Sequence, residues 1–129
     1  MNGMRTAAVF VLFGFLACGL QATEKTSCIS CHGNADYFDN ENLEIVDGWR
    51  GGVHAEMELG CQDCHGGNPD PDFADDPAKA MDPGFEPNPY VGAPDRTEIP
   101  SFCGRCHSDP TFMKVFNPGA RVDQEAEYW

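Results

Sequence analysis

Basic residues, long apolar runs and spare cysteines are what this 129-residue chain is short of. Lys and Arg number 8 against 21 Asp and Glu, a formal charge of −13. A surface of that sign repels phosphate backbones, so nucleic-acid binding is set aside. The same field would steer a basic partner or a metal oxide, although a strongly acidic face is more commonly just a solvated one. Beyond residue 22 no apolar run exceeds two residues, as at Ile45-Val46 and Val115-Phe116. A chain of this length ordinarily needs a respectable apolar core, and the sequence does not supply one. Paired carboxylates, a nucleophile triad and a phosphate-binding loop are likewise missing, which removes the common hydrolytic and phosphoryl-transfer chemistries.

The long apolar run that does exist lies at the start. Residues 1–22 read as a secretory signal: Arg5 provides the positive start, Ala7 to Leu20 is apolar, and Gly19-Leu20-Gln21-Ala22 offers a small-residue end for cleavage. The run falls short of the roughly 17 residues that a bilayer span needs. Two alternatives stay open. The segment can be retained as an anchor, or Cys18 can be lipidated, since Phe15-Leu16-Ala17-Cys18 loosely resembles a bacterial lipoprotein signal apart from Phe15. Either would tie the protein to a membrane. Cleavage removes Arg5 and no acid, so residues 23–129 are more acidic still.

The cysteines are fully committed. Of seven, one is Cys18; the other six form the same pattern three times, at Cys28, Cys31 and His32, at Cys61, Cys64 and His65, and at Cys103, Cys106 and His107. None is left for a disulfide. Cys-x-x-Cys-His is the attachment pattern of a c-type haem. Two thiols at that spacing can each bond one vinyl group of the porphyrin, while the adjacent His reaches the iron. A zinc ribbon or a redox dithiol also uses Cys-x-x-Cys, but neither requires His directly after the second Cys each time. Three covalently attached haems c are therefore expected, and they supply the core that the side chains lack.

The rest of the chain fits a wrapper around such groups. Leu43, Val46, Trp49, Val53 and Met57 recur at helical spacing within residues 34–60, interrupted by Gly48, Gly51 and Gly52. Residues 66–100 hold 8 of the 10 prolines together with Asp70, Asp72, Asp75, Asp76 and Asp82, and read as an irregular surface segment. The Asp cluster has no recognisable cation-binding loop and reads as a solvated acidic stretch. Phe102 to Phe116 is expected to form a helix with Pro110 near a turn. Asn117-Pro118-Gly119 then stops the chain, and Asp123 caps a last short helix. The fold class is mostly irregular with short α-helices and a haem-dominated core.

Three irons have six axial positions, and the chain has four histidines. His32, His65 and His107 take the proximal positions, which leaves His54 as the distal candidate. The length of chain between them favours the iron on His32, with the iron on His65 as the alternative. Met57, Met81 and Met113 are the remaining candidates, with Met113, six residues after His107, placed best. A thioether would raise the potential of its haem, although Met more commonly packs against a porphyrin as an apolar side chain.

Trp49-Arg50-Gly51-Gly52-Val53-His54 followed by Cys61-Gln62-Asp63-Cys64-His65-Gly66-Gly67 resembles the distal-His-then-haem module of periplasmic and outer-surface multihaem cytochromes c. Cys103 to Asp109, with Phe112-Met113, Asn117-Pro118, Val122-Asp123-Gln124 and Tyr128-Trp129, is similar to another segment of that family. The resemblance leaves residues 68–100 unmatched. It implies export from a bacterial cytoplasm to the periplasm or cell surface, and other cytochromes as redox partners. In that family the Tyr-Trp element is commonly followed by a further distal histidine, whereas this sequence stops at Trp129. Residues 23–129 are thus expected to be a trihaem domain forming the N-terminal part of a longer multihaem protein, or one completed by a neighbouring subunit. Single-electron transfer is the expected function. The alternative is a reductase whose five-coordinate iron meets a small molecule such as nitrite or hydroxylamine.

Overall fold

The computed structural model describes residues 25–129; the leader expected at residues 1–22, with Cys18, lies outside them. Among the described residues the regular structure is helical, without strands: α1 (Ser27–His32), α2 (Asn40–Arg50), α3 (Val53–Glu56), α4 (Cys61–His65), α5 (Pro77–Ala80), α6 (Ile99–His107), α7 (Pro110–Phe116) and α8 (Gln124–Tyr128), with a 3₁₀ turn at Pro71–Phe73. The helices are short because the sequence stops them often. Gly51-Gly52 separates α2 from α3, and the proline-rich stretch after α4 admits only the 3₁₀ turn and α5, each with Pro in its first turn.

The helix expected from Phe102 to Phe116 is in fact two. Pro110 lacks the N–H that a continuous helix would use, so α6 ends at His107 and α7 restarts, with the Asp109 carboxylate accepting from the amides of Thr111 (2.7 Å) and Phe112 (3.2 Å). Asp123 precedes α8 as expected, but its carboxylate does not cap the helix. Arg121 takes it instead, at 2.9 Å, and also pairs with Glu127.

Among the described residues the buried apolar side chains are Ile29 (5% exposed) and Val46 (4%), where α1 packs on α2. Two such side chains are far too few to hold a chain of this length by apolar burial alone. Thr26 and Ser27 are buried beside them. Thr26 caps α1 by accepting from the Ile29 amide at 3.2 Å, and the Ser27 hydroxyl donates to the Asn68 carbonyl at 2.6 Å. The Ser27 amide donates to the Pro69 carbonyl at 3.0 Å, so the start of the first motif is sewn to the chain leaving the second. The segment 66–100 is irregular, as its prolines require, yet it is more than a surface excursion because it runs behind α4. None of the described helices is long and apolar enough to cross a membrane.

Candidate haem-binding centre

All three Cys-x-x-Cys-His patterns fall within helices, α1, α4 and α6, each ending on its histidine. In a helix the positions i, i+3 and i+4 lie on one face. Each turn therefore presents two thiols and one imidazole on the same side. The six thiols in the described chain are free of disulfides. Among the described residues no group of three or more His, Cys, Asp or Glu converges as a metal-ion site.

The three motifs adjoin one another in sequence order. Cys28 of the first and Cys61 of the second lie side by side where α1 meets α4, and that proximity draws the Cys28 thiol down to about 6 and pushes Cys61 up. Such shifts belong to free thiols and would vanish on thioether formation. The second motif meets the third through Arg105, whose guanidinium donates to the Cys64 carbonyl at 2.7 Å and lies 4.2 Å over the Phe102 ring. Burial pushes the Cys64 thiol up, and Cys106 close by adds to the effect.

Around α4 the backbone does the positioning. His65 Nδ1 lies 2.9 Å from the Gly92 carbonyl, and the Val91 amide donates to the His65 carbonyl at 2.8 Å. A carbonyl can only accept, so Nδ1 carries a proton and Nε2 is the nitrogen left available to a ligand, the arrangement that metal-ligating histidines use. The helix turns into this loop at Gly66, which has φ +69°; a Cβ there would stand 2.0 Å from the Pro89 carbonyl oxygen. Gly67 (φ +89°) approaches the Ala80 carbonyl as closely as only glycine can. The Asn88 side chain closes the clamp by donating to the Gln62 carbonyl at 2.9 Å.

Around α6 there is an apolar cleft of about 490 Å³ instead, lined by Cys103, Cys106, His107, Phe112, Met113 and His54 among others. Val53, Met57 and Phe116 on its wall are 60, 44 and 39% exposed. An apolar cleft with wet walls, two thiols and an imidazole has the chemistry that receives a porphyrin, whose bulk would cover those side chains. Phe38 stacks on His32 with centroids 4.9 Å apart and planes 14° apart, and Phe102 packs at 5.3 Å from His65.

His54 lies against His107, with ring centroids 6.0 Å apart. The sequence favoured His32 or His65 as its neighbour; the break at Gly51-Gly52 turns α3 toward the third motif instead. Trp49 Nε1 donates to the Leu59 carbonyl at 2.9 Å and pins the loop that carries it. Met113 and Met57 line the same cleft, while Met81 is not among its walls. Gly92, Phe38 and Arg105 were not singled out from sequence. Arg105 was the most accessible of them, lying between two motif cysteines; Gly92 and Phe38 carry no local signal.

Compared with protein-family models, curated proteins and solved structures, the chain matches none.

Proposed function

We propose that the chain is a trihaem c-type cytochrome that carries single electrons between redox partners, other cytochromes among them, after export to a bacterial periplasm or cell surface. The observation that carries this reading is the adjacency of the motifs: the second touches the first through Cys28 and Cys61 and the third through Arg105 and Cys64. Three attachment turns in contact would hold their cofactors as one contiguous group. Cys28, Cys31, Cys61, Cys64, Cys103 and Cys106 would hold the porphyrins, with His32, His65 and His107 as the proximal ligands. When bound, haem irons supply one-electron redox chemistry, and the protein supplies binding, orientation and electrostatics.

The chain's own contributions follow from its contacts. The Gly92 carbonyl at His65 Nδ1 raises the basicity of that imidazole and so favours the oxidised state of a metal bound to it. The Phe38 ring fixes the plane of His32. With a porphyrin seated in the cleft, the apolar side chains around His107 would exclude water from that site. The strongly acidic surface steers the protein toward basic faces of its partners. The resemblance to multihaem cytochromes c supports the same reading.

A second reading rests on the histidine count. His54 faces His107, so no histidine of this chain remains for the irons on His32 and His65. An open position there would suit a reductase for a small molecule such as nitrite or hydroxylamine. Reductive titration of the purified protein separates the two. The electron-carrier reading predicts three one-electron steps and no turnover of either substrate; steady turnover with a supplied electron donor would move the reductase reading ahead.

A further inference from the structure

Every motif histidine in this chain has an aromatic ring against it, but the pair at the third motif differs from the other two in kind. Phe38 stacks nearly parallel on His32 at 4.9 Å, and Phe102 tilts against His65 at 5.3 Å, the separations of ordinary ring packing. His54 stands further from His107, at 6.0 Å, with the planes at 75°. That is a long edge-to-face pair. Neither imidazole has a hydrogen-bond partner among the described residues, so all four ring nitrogens are uncommitted.

The spacing has a simple chemical meaning. A metal–imidazole bond is about 2.0–2.1 Å long and the ring centre lies roughly 1.1 Å beyond the nitrogen, so two imidazoles on opposite sides of one metal stand about 6 Å apart. We propose that His54 is the second axial ligand of the iron attached at His107, so that α3 forms the distal wall of the third haem. The inference rests on the trihaem reading and goes beyond it. It assigns the distal histidine to the motif furthest from it in sequence, across the intervening second motif. His54 lines the apolar cleft that also contains Cys103, Cys106 and His107.

The local chain is built to deliver His54 there. Gly51-Gly52 ends α2, and α3 is a single turn whose His54 carbonyl accepts from the Leu59 amide at 2.8 Å. Trp49 closes the same loop through the Leu59 carbonyl. The ring is thus carried on a hairpin anchored at both ends rather than on a free arm. Met113 and Met57, on the same cleft wall, become packing against the porphyrin rather than ligands to its iron.

The test compares the haem-loaded wild type with His54→Ala, His54→Met and Met113→Leu. Each is measured for haem per chain, for low-temperature EPR of the oxidised form and for carbon monoxide bound after reduction. With three haems retained, His54→Ala is expected to convert one low-spin signal to high spin and to bind one further equivalent of carbon monoxide. Added imidazole should reverse the spin change. His54→Met is expected to keep that iron six-coordinate with one reduction potential raised, as a thioether ligand requires. Met113→Leu should leave spin state and carbon monoxide stoichiometry unchanged. An unaltered spectrum in His54→Ala at three haems, or the spin change appearing in Met113→Leu instead, overturns the His54 assignment while leaving the trihaem reading intact. A wild-type count below three overturns the trihaem reading itself.

Discussion

The second and third motifs carry the same five-residue pattern and are held in opposite ways. At the second, the polypeptide alone places the histidine: the Gly92 carbonyl meets Nδ1, the Val91 amide meets the His65 carbonyl, and glycines at positive φ let the loop press against α4. At the third, no described hydrogen bond orients the His107 ring, and the surroundings are an open apolar cleft with His54 across it. One site is made by backbone, and on the trihaem proposal the other would be completed by its haem. A shared motif thus places the same three side chains, whereas the segment that follows it decides how far the polypeptide alone orients the histidine.

The largest effect is expected at Gly66. In Gly66→Ala the added Cβ would meet the Pro89 carbonyl oxygen at 2.0 Å in a left-handed conformation, and neither backbone can give way cheaply. A loss of about 3 kcal/mol or more is expected, read as a lowered unfolding midpoint. Gly48→Ala, with nothing within 4 Å of the new Cβ, is the control and should be neutral or slightly stabilising. Equal effects at the two glycines would remove the backbone clamp from the account.

Arg105 bridges the two sites. Arg105→Ala loses the hydrogen bond to the Cys64 carbonyl and the stacking on Phe102. About 1.5 kcal/mol is expected in denaturant unfolding of the haem-loaded protein, with Arg105→Lys recovering little because the planar fork is lost. On the third-motif side, Asp109→Ala should cost about 1 kcal/mol through the α7 cap, with Asp109→Asn recovering most of it. The smallest effect concerns α8. Arg121 holds the Asp123 carboxyl below its ordinary range, so the contribution is present above a pH of about 4 and is lost as pH falls through the lowered value. Both groups are exposed, and salt should screen the effect. Lower amide protection in α8 at acid pH, relative to the intrinsic exchange rate and absent in Asp123→Asn, is the expected sign.

Much of this was legible in the sequence because the signals were local. Cys-x-x-Cys-His at helical spacing places its own three side chains, and Gly51-Gly52 and Asn117-Pro118-Gly119 mark breaks that the structure keeps, whereas Gly48, read as a further interruption, lies inside α2. What was not legible depends on distance along the chain. That His54 faces His107 follows from the turn at Gly51-Gly52, whose direction no local pattern encodes. The Gly92 carbonyl reaches His65 across 27 residues of proline-rich chain that has no period. The reading of Phe102 to Phe116 as one helix gave the apolar positions more weight than the missing amide of Pro110. The carboxylate of Asp123 was open to competition from an arginine two residues away.

Haem per chain most directly tests the claim that three attachment turns make up this molecule. Pyridine haemochrome absorbance of the purified wild type, set against its protein concentration and the intact mass, should give three covalent haems and no titratable thiol in residues 25–129. Two or fewer haems, or thiols that still react with an alkylating reagent after denaturation, would contradict it.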